Sequence, residues 1–102
     1  MNDGALALRP EELTTVRAIL AQHAPDCTAW VFGSRATGKA KPFSDLDLAL
    51  EGPAPLSLER LAVLAEAFSQ SDLPWKVDLV DWAEVSPEFR RIIERDRVRL
   101  VP

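Results

Sequence analysis

Asp45 and Asp47 stand two apart in the run Ser44-Asp45-Leu46-Asp47-Leu48. On an extended strand, positions two apart share a face and lie roughly 6.5–7 Å apart along the chain. Two ionised carboxylates on one face repel each other and gain nothing from a core. A divalent cation between them gives the arrangement a use, because Mg²⁺ is commonly held by one or two carboxylates completed by water and substrate phosphate. A bare D-x-D also describes the solvated face of an ordinary edge strand. Here its surroundings favour the metal. Gly33-Ser34 offers backbone N–H groups and a hydroxyl at the end of a preceding strand, which suit an anion. Between the two motifs, Ser34–Ser44 carries the cations Arg35, Lys39 and Lys41 and no acid, in a chain that is acidic overall. A positive loop beside a carboxylate pair matches a metal-bound polyphosphate, with cations for the phosphates and carboxylates for the metals. A third carboxylate is available from Lys76–Trp82. Asp78 and Asp81 lie on opposite faces of that strand, and the pattern alone does not decide which of them joins the pair.

The elements that position these residues can be read from periodicity and punctuation. Pro10 suits a first helical turn, with Glu11 and Glu12 on the positive end of the helix dipole. Leu13, Val16, Leu20 and the neighbouring Ile19 then form an apolar stripe, which predicts a helix from Pro10 to His23, stopped by Pro25-Asp26. Thr28–Gly33 is short and β-rich, hence a buried strand, and Ser34–Ser44 has loop chemistry with Gly38 and Pro42. Asp45–Glu51 alternates, with Leu46, Leu48 and Leu50 on the buried face and Asp45, Asp47, Ala49 and Glu51 on the other. Gly52-Pro53-Ala54-Pro55 breaks it. Ser57 is an N-cap for a helix to Ser69, and Ser71–Pro74 is a connection. Lys76–Trp82 is a third strand, Ser86-Pro87 opens a helix to Arg95, and Arg97–Val101 is a last, edge strand. The order α-β-β-α-β-α-β implies an α+β (α/β) fold, a mixed sheet of three to four strands flanked by helices.

The chain has 102 residues, with twelve Lys and Arg against sixteen Asp and Glu, for a formal charge of −4. That length predicts one domain over residues 1–102. An apolar content of 47% supports one compact core, and 27% charged residues argue against disorder. The most apolar run, Leu61–Phe68, holds Glu66 and is far short of the ~20 residues of a membrane span. Mild acidity argues against duplex DNA as a generic partner. Cys27 is the one cysteine, so no internal disulfide forms. Met1–Leu8 lacks the basic-then-apolar layout of a signal peptide. The expectation is a cytoplasmic domain with no membrane association. No repeat or low-complexity tract is visible.

Gly33-Ser34-Arg35-Ala36-Thr37-Gly38, followed by Ser44-Asp45-Leu46-Asp47-Leu48, resembles the signature of the DNA polymerase beta nucleotidyltransferase superfamily, in particular its minimal nucleotidyltransferase branch. Val77-Asp78-Leu79-Val80 is similar to the segment bearing that family's third carboxylate. The resemblance spans nearly the whole chain in layout, and no part of the motif is missing. It implies a polymerase-beta-like nucleotidyltransferase fold. It implies that Gly33 and Ser34 hold nucleotide phosphates, with Arg35 beside them. Asp45 and Asp47 would ligate two Mg²⁺ ions, and Asp78 would complete the site and help to activate an acceptor hydroxyl. The implied reaction moves a nucleoside monophosphate from an NTP, releasing pyrophosphate.

Larger relatives carry further domains for their acceptors, and little of this chain remains for one after the sheet and helices are built. The resemblance therefore implies an acceptor with its own surface. Minimal nucleotidyltransferases of this kind pair with small helical HEPN toxins as antitoxins, and some adenylylate a tyrosine of the toxin. The leading expectation is an Mg²⁺- and ATP-dependent protein adenylyltransferase that neutralises a HEPN toxin. The alternatives are a non-catalytic antitoxin that occludes its partner, and a nucleotidyltransferase acting on a small molecule or an RNA end.

The remaining candidates read as structural. His23 is the one histidine, at a helix end and without a partner for zinc. Cys27 reads as a small core residue, Trp30 as core, and Trp75 and Trp82 as packing or an interface rather than a base-stacking platform. Arg90, Arg91, Arg95, Arg97 and Arg99 read as a solvated helix and a charge-guarded edge, with a protein or RNA contact surface as the alternative.

Overall fold

A computed structural model describes residues 6–100. Its elements are α1 (Pro10–His23), β1 (Thr28–Phe32), α2 (Ser34–Thr37), β2 (Leu46–Glu51), α3 (Leu58–Ser69), β3 (Val77–Asp81), a 3₁₀ turn (Trp82–Glu84), α4 (Pro87–Asp96) and β4 (Val98–Arg99). The sheet runs β3-β2-β1-β4. β1 is antiparallel to both β2 and β4, while β2 and β3 are parallel. The mixed sheet flanked by helices is the expected class.

Local chemistry sets the helix starts. Pro10 enters α1 at its first turn, and the Arg9 N–H donates to Glu12 Oε1 at 2.9 Å. The Ser57 hydroxyl accepts from Arg60 N at 3.0 Å and the Ser86 hydroxyl from Phe89 N at 3.2 Å, each satisfying an otherwise orphaned N–H. Arg60 on α3 reaches back to the Asp26 carboxylate, Nη1 donating at 3.1 Å, and so ties the end of α1 to α3.

The leucine face of β2 does what its alternation predicts. Leu46, Leu48 and Leu50 are completely buried in one cluster with Val31, Val16, Leu20, Leu64 and Phe68, so α1 and α3 cover this side of the sheet. Each such leucine contributes about 1.5–3 kcal/mol, and Leu48→Ala costs about 2–5 kcal/mol once the cavity is counted. The opposite face differs from expectation. Ala49, grouped by parity with Asp45 and Asp47, is fully buried in a second cluster with Phe32 and with Ile93 of α4. α4 therefore closes the middle of this face and leaves the acids at its end.

Two further boundaries shift. Ser34–Ser44, expected as loop, opens with the single turn α2, because Gly33 and Gly38 take φ of 76° and 81° at its two ends. The expected edge strand Arg97–Val101 is confined to Val98–Arg99 with Leu100 N donating to Ala29 O at 2.9 Å; Val101 lies outside the described residues. Arg97 is instead the cap of α4, its N–H donating to Ile93 O at 2.8 Å. Among the described residues no helix is long and apolar enough to cross a membrane.

Candidate active site

Three chain segments meet at one end of the sheet. β1 delivers Gly33 and Ser34 at its exit, β2 delivers Asp47 at its entry with Asp45 just before the strand, which begins one residue later than expected, at Leu46, and β3 delivers Asp78 near its start. Phe32 is the antiparallel partner of Asp47, and Asp47 is the parallel partner of Asp78. Parallel neighbours lie about 4.8 Å apart and direct their side chains to the same face, so Asp47 and Asp78 are adjacent carboxylates. Asp45, two residues earlier, has the parity to join them at the exposed rim.

Gly33 is required by this packing. Its φ of 76° and ψ of −157° lie in a region essentially closed to side chains. A Cβ there would also fall on Oδ2 of Asp47 and 3.2 Å from its Cγ. The absent side chain is what lets the Asp47 carboxylate lie against the β1–α2 turn.

The electrostatics are those of surplus negative charge. Burial, then the charges of Asp78 and Asp45, push the Asp47 carboxyl above its ordinary value. Among the described residues no ion pair involves Asp45, Asp47 or Asp78. Nor do three acid, imidazole or thiol groups stand assembled as a ready cation cage. What the strands present is an in-register carboxylate pair with a third acid at the rim. All of these donors are oxygen, the pair lacks a counter-charge, and Mg²⁺ ordinarily takes one or two carboxylates and completes its shell from phosphate and water. The residues fit a divalent cation that arrives with a polyphosphate.

Arg35 departs from expectation. It is only 5% exposed and does not face outward to phosphates. Its guanidinium donates to Ala7 O at 2.6 Å, Ser44 O at 3.0 Å, Pro42 O at 3.2 Å and Lys41 O at 3.4 Å, and its centre lies 4.5 Å from the ring of Trp75. Carbonyls on the inner side of the 41–44 loop offer these acceptors, and the apolar Trp75 face offers a seat. Lys39 and Lys41 remain exposed.

Asp81 is separated from the acids. It is buried, accepts from Leu56 N at 2.8 Å and Ala83 N at 3.1 Å, and caps the 3₁₀ turn. Trp30 is half-buried, its indole donating to Glu51 Oε1 at 2.9 Å. The guanidinium of Arg97 lies 3.9 Å from the Trp30 ring and 5.1 Å from that of Trp82, while Arg90 covers Trp82 at 5.0 Å. Two of the C-terminal arginines are thus aromatic packing, neither simply solvated nor free for a partner. Cys27 is half-buried against the main core, and His23 is half-buried at the end of α1. Sequence reasoning missed the clamp between Arg35 and Trp75; the thirty-nine intervening residues leave no local signal of it.

The model of the family described as "Nucleotidyltransferase domain" matches residues 13–100. A Haemophilus influenzae protein named as a probable protein adenylyltransferase, MntA, is 54% identical over 90 residues, covering 88% of this chain and 79% of that one. Among solved structures, a toxin–antitoxin crystallised with AMP-PNP matches with a TM-score of 0.76 at 24% identity, over 87% of this chain and 72% of the other. A complex of tri-AMPylated Shewanella oneidensis HEPN toxin with MNT antitoxin matches at 0.68 and 22% identity, over 87% and 68%. At those identities the two structures establish a shared fold.

Proposed function

The chain belongs to the nucleotidyltransferase domain family, and from that premise we infer that it transfers AMP from ATP to a hydroxyl of a HEPN-type toxin, releasing pyrophosphate and acting as the toxin's antitoxin. The acceptor is a tyrosine hydroxyl. The observation that carries this reading is the register of Asp47 with Asp78 beside Asp45, an acid set left without a counter-charge from the described chain. The close relative named as a protein adenylyltransferase supports the choice of reaction, and the MNT–HEPN complex of the same fold supports the choice of partner.

Asp45 and Asp47 would hold the two Mg²⁺ ions through their carboxylates, and Asp78 would complete the set. When bound, the ions offset charge developing on the transferred phosphoryl group and the departing pyrophosphate. The Gly33 backbone and the Ser34 hydroxyl orient the phosphates, and Gly33 also admits the Asp47 carboxylate. Asp78, exposed on the edge strand β3, accepts the proton of the incoming hydroxyl. Holding both reactants in line provides much of the remaining rate.

The test is incubation with ATP, Mg²⁺ and the product of the neighbouring gene as candidate partner, followed by intact mass. A gain of one or more AMP groups on the partner, abolished by Asp45→Ala and by Asp47→Ala, is the expected result. No gain with the native protein rejects the reading. If the two variants still neutralise the partner, occlusion rather than transfer is the antitoxin mechanism.

A further inference from the structure

One guanidinium touches the segments that carry the acids. Arg35 directly follows Ser34. Its donors reach the carbonyls of Lys41, Pro42 and Ser44, the last of which directly precedes Asp45. Its charged centre rests on Trp75, three residues before Asp78. It is also joined to Ala7 in both directions, Nη1 donating to Ala7 O at 2.6 Å and Ala7 N donating to Arg35 O at 3.0 Å. The loop adds its own closure, with Lys41 N donating to the Ser44 hydroxyl at 2.8 Å and Ser44 N to Lys41 O at 3.0 Å.

The chemistry of this seat argues for geometry over charge. No ion pair holds the guanidinium among the described residues; burial depresses its pKa, opposed only by the charge of Glu12. A buried charge is costly, and an apolar residue of similar volume often packs as well. What an apolar side chain lacks is a planar fork of five donors that can satisfy carbonyls from separate segments while lying flat on an indole. A lysine ammonium has neither the fork nor the plane.

We propose that Arg35 is a positioning residue, not a phosphate ligand: it fixes the approach to Asp45 and, through Trp75, the approach to Asp78, relative to Ser34. The consequence for transfer rests on the function inferred above; the geometric claim does not.

The experiment compares wild type, Arg35→Lys and Trp75→Phe by residue-resolved amide exchange, by metal-free ATP affinity and by the Mn²⁺ concentration giving half-maximal AMP transfer. For Arg35→Lys, exchange speeds at least tenfold at residues 41–46 and 75–78, with Ala29, Leu48 and Leu50 within twofold of wild type. The Mn²⁺ requirement rises at least tenfold, while metal-free ATP affinity stays within threefold. Trp75→Phe retains the packing but weakens the cation–π seat, and speeds exchange about threefold in the 41–46 loop as well as at its own site. It decides the matter if Arg35→Lys does not fold. Unchanged exchange in 41–46 in the folded variants overturns the proposal, as does a loss of metal-free ATP affinity without a change in exchange. If wild type binds no Mn²⁺ and transfers nothing, the inferred function falls while the exchange arms still judge the clamp.

Discussion

Asp47 and Asp78 face each other across the parallel ladder of β2 and β3, and no cation of the described chain pairs with either. A fold places two like charges in register at a cost to itself. The cost is offset when a cation arrives, so the metal-free protein stores a measurable penalty at this point.

Asp47→Asn releases that penalty. The folded protein holds the Asp47 proton more tightly than the unfolded chain does, because burial and the charges of Asp78 and Asp45 disfavour the carboxylate. Stability from this group is therefore present below the ordinary carboxylate value of 3.8. It is lost as pH rises through the raised value. In EDTA at neutral pH the variant melts above wild type, and the gap closes as pH falls below the ordinary value. Each kcal/mol corresponds to about 4–8 °C in a domain of this size. Mg²⁺ with ATP raises the melting temperature of wild type but not of the variant, and AMP transfer falls about 10³-fold or more. A variant that melts with or below wild type in EDTA contradicts the placement of Asp47.

The two positive-φ glycines separate strain from site geometry. Gly38→Ala meets nothing within 4 Å, so it costs only the left-handed backbone, about 1–2 kcal/mol, and leaves transfer intact. Gly33→Ala meets the Asp47 carboxylate as well and sits in a backbone region costing about 1–3 kcal/mol. It lowers stability further and cuts transfer at least tenfold at temperatures where both variants are folded. Equal transfer by the two variants would show that Asp47 does not depend on the bare glycine.

Asp78 and Asp81 exchange the usual roles of stability and activity. Asp81→Ala orphans Leu56 N and Ala83 N and costs about 2–3 kcal/mol, with transfer unchanged in the folded protein at low temperature. Asp78→Asn, at an exposed position, does not lower the denaturation midpoint, since it removes a charge that repels Asp47, yet it lowers transfer about 10²-fold or more. Denaturant melts and single-turnover assays on the pair decide between the two acids.

The contrast also marks what could be read from the chain. The alternation of Leu46, Leu48 and Leu50 fixes the buried face of β2, since period 2 is a local property. Ser57, Ser86 and Pro10 likewise announce helix starts within four residues. Parity put Asp78 and Asp81 on opposite faces, but the choice between them rests on the N–H of Leu56, 25 residues away in sequence. Ala49 reads as the acid face because nothing nearby signals that Ile93 will cover it. Arg35 is the sharpest case. A cation beside Gly-Ser in an acid-free loop looks like a phosphate ligand, and only the fold brings Ala7 and Trp75 to its guanidinium.

Arg97 offers the same lesson at the other edge of the sheet. Its guanidinium lies between the rings of Trp30 and Trp82, within 3.9 and 5.1 Å of their centroids, and Arg90 covers Trp82 again. Partly desolvated cation–π contacts contribute about 0.5–2 kcal/mol each, and Arg97 is also the residue at which α4 ends. Arg97→Ala therefore lowers stability by about 1–2 kcal/mol, read as a lower urea midpoint, and shifts tryptophan emission as both rings meet more water. Arg97→Lys falls between, because an ammonium keeps the charge but loses the flat stacking surface. Arg91, exposed on α4, is the control, and Arg91→Ala changes stability by no more than about 0.5 kcal/mol. If Arg97→Ala is as mild as Arg91→Ala, the stack contributes nothing.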